Sequence, residues 1–213
     1  MAVDDPGLWC ETGEADWASG AALFLDRDGV IIADTGYLGR AEEVRLLDGA
    51  AGAIARCNRL GIPVVVVTNQ SGIARGYYDW GGFGAVQAAL VAALAGAGAH
   101  LDAVLACAYH ADGKEPLRIA AHPWRKPKPG MIVAAAERMN LDLSRSWIVG
   151  DKAEDIATGA AAGLAGGTLL AADDRAERRM AGLERADFAA MTAASLADAV
   201  AALIGTGRLT GRA

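Results

Sequence analysis

The chain is poor in cysteine, has no excess of basic charge, and lacks a basic start leading into an apolar run. Its three cysteines, Cys10, Cys57 and Cys107, are odd in number and widely spaced. That argues against a disulfide framework and for a reducing compartment, so a cytoplasmic location is expected. The formal net charge is −6. Such a field disfavours nucleic acid and anionic membrane as partners, whereas a small anionic substrate needs only a local positive site. Asp4 and Asp5 near the start do not fit a signal peptide, and none is expected. Between Asp79 and Asp102 no acidic or basic residue occurs apart from His100. That run is mostly Ala and Gly, which partition weakly into lipid, and Gln87 interrupts it. It reads as a soluble helix packing through small residues, not a membrane span.

What the chain does have is 213 residues that are 53% apolar, enough for one well-packed domain and short for two. No internal repeat or linker divides it, and a monomer is expected. Residues 1–19 read as an N-terminal extension and 205–213 as a frayed tail. In between, apolar runs alternate with helical stretches. The strands fall at 21–25, 62–67, 101–107, 146–150 and 166–171. The run "IPVVVV" is β-branched and continuous, as a central parallel strand buried on both faces requires. The helices fall at 48–61, with Asp48 as N-cap, at 79–97, at 130–140 after Pro129, and at 153–163. Further on come a charged, solvated helix in "DDRAERRMAGLERADF", a short extended piece at 186–189, and a final amphipathic helix in "SLADAVAALI". Residues 29–47 read as an irregular excursion. The pattern predicts an α/β fold, a doubly wound, mainly parallel sheet with helices on both faces.

In such sheets ligands bind beyond the carboxyl ends of the strands. Polar groups cluster at four such ends. Asp26 and Asp28 follow the first strand, "TNQSG" (68–72) the second, "RKPKPG" (125–130) the third with its loop, and "GDKAED" (150–155) the fourth. One such cluster would pass for a turn or helix cap; four together point to a site. Asp26, Asp28 and Asp151 make an oxygen-rich pocket suited to Mg²⁺. With a phosphate ester present, Asp26 is placed to attack phosphorus and Asp28 to protonate the leaving oxygen. Thr68 Oγ, the amides of the 69–71 turn and a lysine at 126 or 128 offer donors to phosphoryl oxygens.

The ordered set "FLDRDGVI", "TNQSG", "RKPKPG" and "GDKAED" resembles the haloacid-dehalogenase-like phosphatases. More narrowly it is similar to their small uncapped branch of heptose-bisphosphate and histidinol-phosphate phosphatases. The resemblance covers about residues 20–172. It implies Asp26 as nucleophile and Asp28 as general acid/base. It implies magnesium held by Asp26, the Asp28 backbone carbonyl and Asp151, and phosphate held by Thr68 and Lys126, the latter preferred to Lys128 by the Arg-Lys-Pro-x-Pro-Gly pattern. Asn69, Arg125 and Lys152 fall where this branch contacts phosphate and substrate. Asp155 falls where it supports the metal site. Only 42 residues separate Asp26 from Thr68, and 58 separate Thr68 from Lys126. Neither interval holds a large cap domain, so an open site is expected, shaped by residues 33–42 and 108–124.

Relatives in this branch often carry a structural zinc on Cys-x-His and Cys-x-Cys. Here the matching positions are Cys107, Tyr109, His122 and Trp124. Even with His110 substituting, the ligand count argues against a closed zinc site. Packing of Tyr109, Leu117 and Trp124 with the prolines is the alternative. The resemblance implies a phosphomonoesterase acting on a small phosphorylated substrate, first the 7-phosphate of a heptose bisphosphate. "TNQSGIARG" favours that over histidinol phosphate, and Arg75, Arg125 and Lys152 would suit a second phosphate. The alternatives are histidinol phosphate, a nucleic-acid 3′-phosphatase, disfavoured by the acidic balance, and a non-catalytic binding protein on the same fold.

Overall fold

The computed structural model describes residues 5–13, 17–170, 180 and 182–211. Seven strands run through it: β1 (Leu8–Thr12), β2 (Leu23–Leu25), β3 (Val64–Asn69), β4 (Ala103–Cys107), β5 (Trp147–Gly150), β6 (Gly166–Leu170) and β7 (Ala189–Ala193). The helices are α1 (Ala50–Arg59), α2 (Ser71–Arg75), α3 (Trp80–Gly96), α4 (Gly130–Met139), α5 (Ala153–Ala162) and α6 (Leu196–Gly205). One sheet holds all seven strands in the order β1-β4-β3-β2-β5-β6-β7. Every pairing is parallel except β1 with β4, where Leu8 lies opposite Cys107. The chain thus reverses direction across the sheet at β2, which puts the crevice of a doubly wound fold at the end of that strand.

Alternation along β2 divides the core. Leu23 and Leu25 face one layer, with α1, α3 and α6; Phe24 faces the other, with α4 and α5. The stripe Phe83, Val86, Leu90 and Leu94 buries one side of α3, and Asp79 caps its start by accepting from Gly82 N at 2.9 Å. Glycine at its start lets this charge-free helix lie close to the excursion after β2, where a Cβ on Gly82 would sit 2.9 Å from Gly39 O. No helix among the described residues is long and apolar enough to cross a membrane. No cap domain interrupts the described residues; the excursion after β2 carries only a short 3-10 turn at Ala41–Glu43.

Several local expectations change. The N-terminal extension supplies β1, an antiparallel edge strand. Asp48 does not cap α1: the N-cap is Gly49, at φ +75°, with no side-chain cap. The "SG" of "TNQSG" opens a helix of its own, α2. The extended piece expected at 186–189 is instead β7, shifted to Ala189–Ala193, which meets it at one residue. Of the charged helix expected in "DDRAERRMAGLERADF", residues 173–179 and 181 lie outside the described residues, and 182–188 form turns closed by an Arg185–Phe188 bridge instead of a helix. The tail does not run free after α6. Leu209 is 1% exposed in the first core layer, and the Arg208 guanidinium lies 5.7 Å from the Trp147 ring centroid.

Candidate active site

The parallel strands β2, β3 and β5 end side by side, and the expected residues meet there. Asp26 follows β2 directly, and its backbone amide donates to Val149 O of β5 at 3.1 Å. Its carboxylate accepts from Arg27 N at 2.8 Å and pairs with Lys126 Nζ at 2.9 Å. Lys126 is 3% exposed and also pairs with Asp155 at 2.6 Å, while donating to Val67 O at 3.0 Å. Lys128 is exposed, and its ammonium donates to Ala121 O. Burial therefore selects Lys126, as the motif pattern implied.

Asp26, Asp151 and Asp155 each present a carboxylate oxygen within 4.8 Å of the others. The close approach depends on absent side chains. A Cβ on Gly29, at φ +81°, would sit 2.5 Å from Asp151 Oδ2; one on Gly150 would overlap the Asp155 side chain. Asp151 Oδ1 is buried without a hydrogen-bond partner. Desolvation, then the Asp26 charge, pushes the Asp151 carboxyl up to about 6. Asp155 is also raised, by burial first, against the opposing pull of Lys126. Burial alone would lower Lys126, but Asp155 and Asp26 together hold it above its ordinary value. Clustered carboxylates with an orphaned buried oxygen and too little positive charge fit a hard divalent cation.

Asp28 is placed differently. Its carboxylate pairs with the Arg27 guanidinium at 3.0 Å and accepts from Gln70 Nε2 at 3.0 Å; its side chain lies outside the three-carboxylate cluster. Arg27 is 1% exposed and lies 5.0 Å from the Phe83 ring centroid. Thr68, also 1% exposed, accepts from Gln70 Nε2 at 2.9 Å. Asn69 clips the Lys126 backbone. Its Oδ1 accepts from Lys126 N at 3.1 Å and its Nδ2 donates to Lys126 O at 3.3 Å. Asn69 thus positions the lysine with one amide N–H and its oxygen, and its second N–H remains at the cleft. Asp155 does the same for the next motif, its Oδ2 accepting from Lys152 N at 3.0 Å. Lys152 Nζ reaches out to Asp34 at 3.4 Å and Asp151 at 3.7 Å. Arg125 donates to Tyr109 O at 3.1 Å.

These groups line a cleft of about 330 Å³. Asp34, Gly36, Tyr37 and Leu38 from the excursion border it, as expected of residues 33–42. Residues 108–124 do not line it, contrary to expectation; further lining comes from Ser71, Gly72 and Tyr78, the last two packed against the excursion. Arg75 does not line it either, being bonded to Asp112 at 3.0 Å and to the His110 ring. In the 107–124 loop, Tyr109 stacks on His122 at 4.3 Å and its hydroxyl donates to Asp5 at 2.8 Å. Burial pushes the Cys107 thiol up to about 11. Three residues at the site were not singled out from the sequence: Gln70 and Tyr78, which line the cleft, and Arg27, buried beside them. All lie within or just after the motifs, but their roles depend on contacts between separate strand ends.

A doubly wound sheet with aspartates after β2 and β5 and a buried lysine between them defines a hydrolase of phosphate esters as a class. Comparison with known proteins agrees. The profile of the haloacid dehalogenase-like hydrolases matches residues 6–163. The chain belongs to that family. It is 52% identical to the D-glycero-beta-D-manno-heptose-1,7-bisphosphate 7-phosphatase of Mesorhizobium japonicum, over 79% of this chain and 78% of that protein. It is 43% identical to the D-glycero-alpha-D-manno-heptose-1,7-bisphosphate 7-phosphatase of Burkholderia mallei, over 74% and 82%. Among solved structures, the D,D-heptose 1,7-bisphosphate phosphatase of B. bronchiseptica, complexed with magnesium and phosphate, superposes with a TM-score of 0.75. It has 31% identity to this chain and covers 87% of it and 99% of itself.

Proposed function

We propose that this chain is a magnesium-dependent phosphomonoesterase that removes the 7-phosphate of D-glycero-D-manno-heptose 1,7-bisphosphate. The observation that carries the chemistry is the cluster of Asp26, Asp151 and Asp155, with the buried ammonium of Lys126 between Asp26 and Asp155. The 52% identical relative, named for heptose bisphosphate, carries the substrate class and favours it over histidinol phosphate. A non-catalytic role would not need a buried nucleophile, lysine and carboxylate cluster assembled from four strand ends.

In this reading Asp26 and Asp151, with the Asp28 backbone carbonyl, hold Mg²⁺, and Asp155 steadies Lys126 and the turn at Lys152. When bound, the ion offsets the negative charge of carboxylates and phosphate, so that an anionic nucleophile can approach an anionic ester. Asp26 attacks phosphorus and the sugar oxygen leaves with a proton from Asp28, giving an aspartyl-phosphate. Asp28 then takes a proton from water, whose oxygen attacks phosphorus, and phosphate departs with Asp26 restored. Thr68 and Lys126 donate to the phosphoryl oxygens, while Arg125 and Lys152, at the open side, meet the rest of the substrate. Every group comes from one chain, so a monomer suffices.

The test is phosphate release from both anomers of the bisphosphate and from histidinol phosphate, with and without Mg²⁺. A preference for histidinol phosphate would overturn the substrate assignment. Asp26→Asn is expected to abolish turnover without unfolding the chain; retained turnover would exclude the covalent route.

A further inference from the structure

Gln70 is 2% exposed, and its side-chain amide makes four hydrogen bonds, all to the ends of β2 and β3 and to Tyr78. Oε1 accepts from Arg27 Nη2 at 3.2 Å and from the Tyr78 hydroxyl at 2.5 Å. Nε2 donates to Asp28 Oδ2 at 3.0 Å and to Thr68 Oγ at 2.9 Å. The amide orientation follows from chemistry. Arginine has no acceptor, so the atom facing Arg27 is the oxygen. An ionised carboxylate has no donor, so the atom facing Asp28 is the nitrogen. Both constraints agree, and no capacity of the amide remains unused.

Tyr78 is locked in turn. Its ring fills space that a Cβ on Gly72 or Gly39 would occupy; on Gly39 that Cβ would lie 2.7 Å from Tyr78 Cβ. Burial pushes its hydroxyl up to about 12, so it stays protonated and donates.

The consequence lies at Thr68. Its hydroxyl carries one proton, and Gln70 already occupies one of its lone pairs as a donor. The Thr68 proton is therefore left to be given away, and Thr68 lines the cleft. We infer that Gln70 is a positioning residue: it aims the Thr68 hydroxyl proton at the phosphoryl group and clamps Asp28 beside the nucleophile. The inference rests on the reading of this cleft as a phosphate site. The Arg27–Gln70–Tyr78 unit beneath Thr68 and Asp28 then acts as a rigid floor that fixes two groups from different strands together.

The test is a double-mutant cycle between Gln70→Leu and Thr68→Val, read by kcat, by KM, and by calorimetric binding of inorganic phosphate with Mg²⁺. Misplacement of reacting groups by about an ångström costs up to roughly 100-fold, so Gln70→Leu should lower kcat by about 10- to 100-fold with a smaller change in KM. In the Thr68→Val background the same substitution should cost at least about fivefold less, because its target is gone. Gln70→Glu keeps the bonds from Arg27 and Tyr78, replaces both donations by an acceptor, and adds negative charge beside Asp28; it should lower kcat at least as much as Gln70→Leu does. Equal losses in both backgrounds, or near wild-type kcat in Gln70→Glu, would overturn the inference. Absence of wild-type turnover on heptose bisphosphate would sink the substrate assignment instead, and the phosphate-binding cycle would still decide on Gln70.

Discussion

Replacing Lys126 by methionine tests the electrostatic reading directly, because one ammonium serves two buried carboxylates. Lys126 Nζ lies 2.9 Å from Asp26, 2.6 Å from Asp155 and 3.0 Å from Val67 O. Methionine fills a similar volume, so a packing defect contributes little. What is lost is the charge. Removing one partner of a buried pair costs about 3–5 kcal/mol, since the other is left uncompensated. For a chain of this size each kcal/mol moves the melting temperature by about 2–4 °C, so a drop of about 6–20 °C is expected at pH 8.

The drop must depend on pH. Asp155 is already raised above its ordinary value of 3.8, by burial first, and Lys126 is what holds it down. Without Lys126 it rises further. A carboxyl whose folded value is raised stabilises the fold while protonated, and that stability is lost as pH rises through the folded value. At pH 5 the variant can take up a proton and recover part of its stability; at pH 8 it cannot. Thermal unfolding of metal-free wild type and Lys126→Met at both pH values is the assay. The deficit at pH 8 should be at least about twice that at pH 5. Added Mg²⁺ should raise the melting temperature more in the variant than in wild type, because the carboxylates have lost their cation. Equal deficits at the two pH values, or a deficit below about 3 °C, would refute the argument that Lys126 is the charge partner of this cluster.

Two further outcomes follow from the same geometry. Gly150→Ala places a Cβ against the Asp155 side chain, with Cγ at 2.6 Å. Overpacking of this kind costs about 1–3 kcal/mol, and Mg²⁺ affinity measured by calorimetry should fall with it; unchanged affinity would mean that Asp155 does not shape the metal site. Asp151 is pushed up to about 6, by desolvation and then by Asp26. Mg²⁺ needs the carboxylate, so its affinity should climb between about pH 5 and 7 with proton release on binding, while the metal-free chain loses stability over the same interval. Titrations in buffers of different ionisation enthalpy measure both, and an affinity flat from pH 5 to 8 would contradict the assignment.

The groups that can meet a phosphate were legible in the sequence because a parallel strand buried on both faces must be apolar to its end. "VVVV" stops at Thr68, "LFL" at Asp26 and "WIV" short of Asp151, so the switch from apolar to polar marks the crevice. Lys126 was legible only through its motif, since "KPK" offers two lysines and burial alone separates them. What supports those groups was less visible. Arg27, between the two aspartates, reads as a surface residue, yet it is buried under Phe83 of α3, 56 residues further on. β1 pairs with β4 across about 95 residues of sequence, and a five-residue run containing Glu11 and Thr12 has no apolar pattern to announce it. The capping of α1 went to Gly49 over Asp48 because the chain enters that helix through a left-handed residue, which glycine adopts without strain.

Charge balance explains why the two aspartates of "DRDG" part company. Asp28 has its own cation in Arg27 and hydrogen bonds from Gln70, so it needs no metal and its side chain stays out of the cluster. Asp26 and Asp155 share the Lys126 ammonium, while Asp151 has only Lys152 at 3.7 Å, an exposed ammonium that also meets Asp34. When all three are ionised, their negative charge exceeds the one buried positive charge, and a divalent cation would offset the excess. The chain thus sorts its carboxylates by whether it supplies a partner. In the proposed reading the self-paired one is left for proton transfer, while two of the under-paired ones, Asp26 and Asp151, would hold the metal as the third orders Lys126. A fixed anion at Arg27 would draw the ion toward Asp28. The position proposed for magnesium therefore follows from where positive charge is missing, and the proposed nucleophile, Asp26, is the carboxylate of that cluster that also pairs with Lys126.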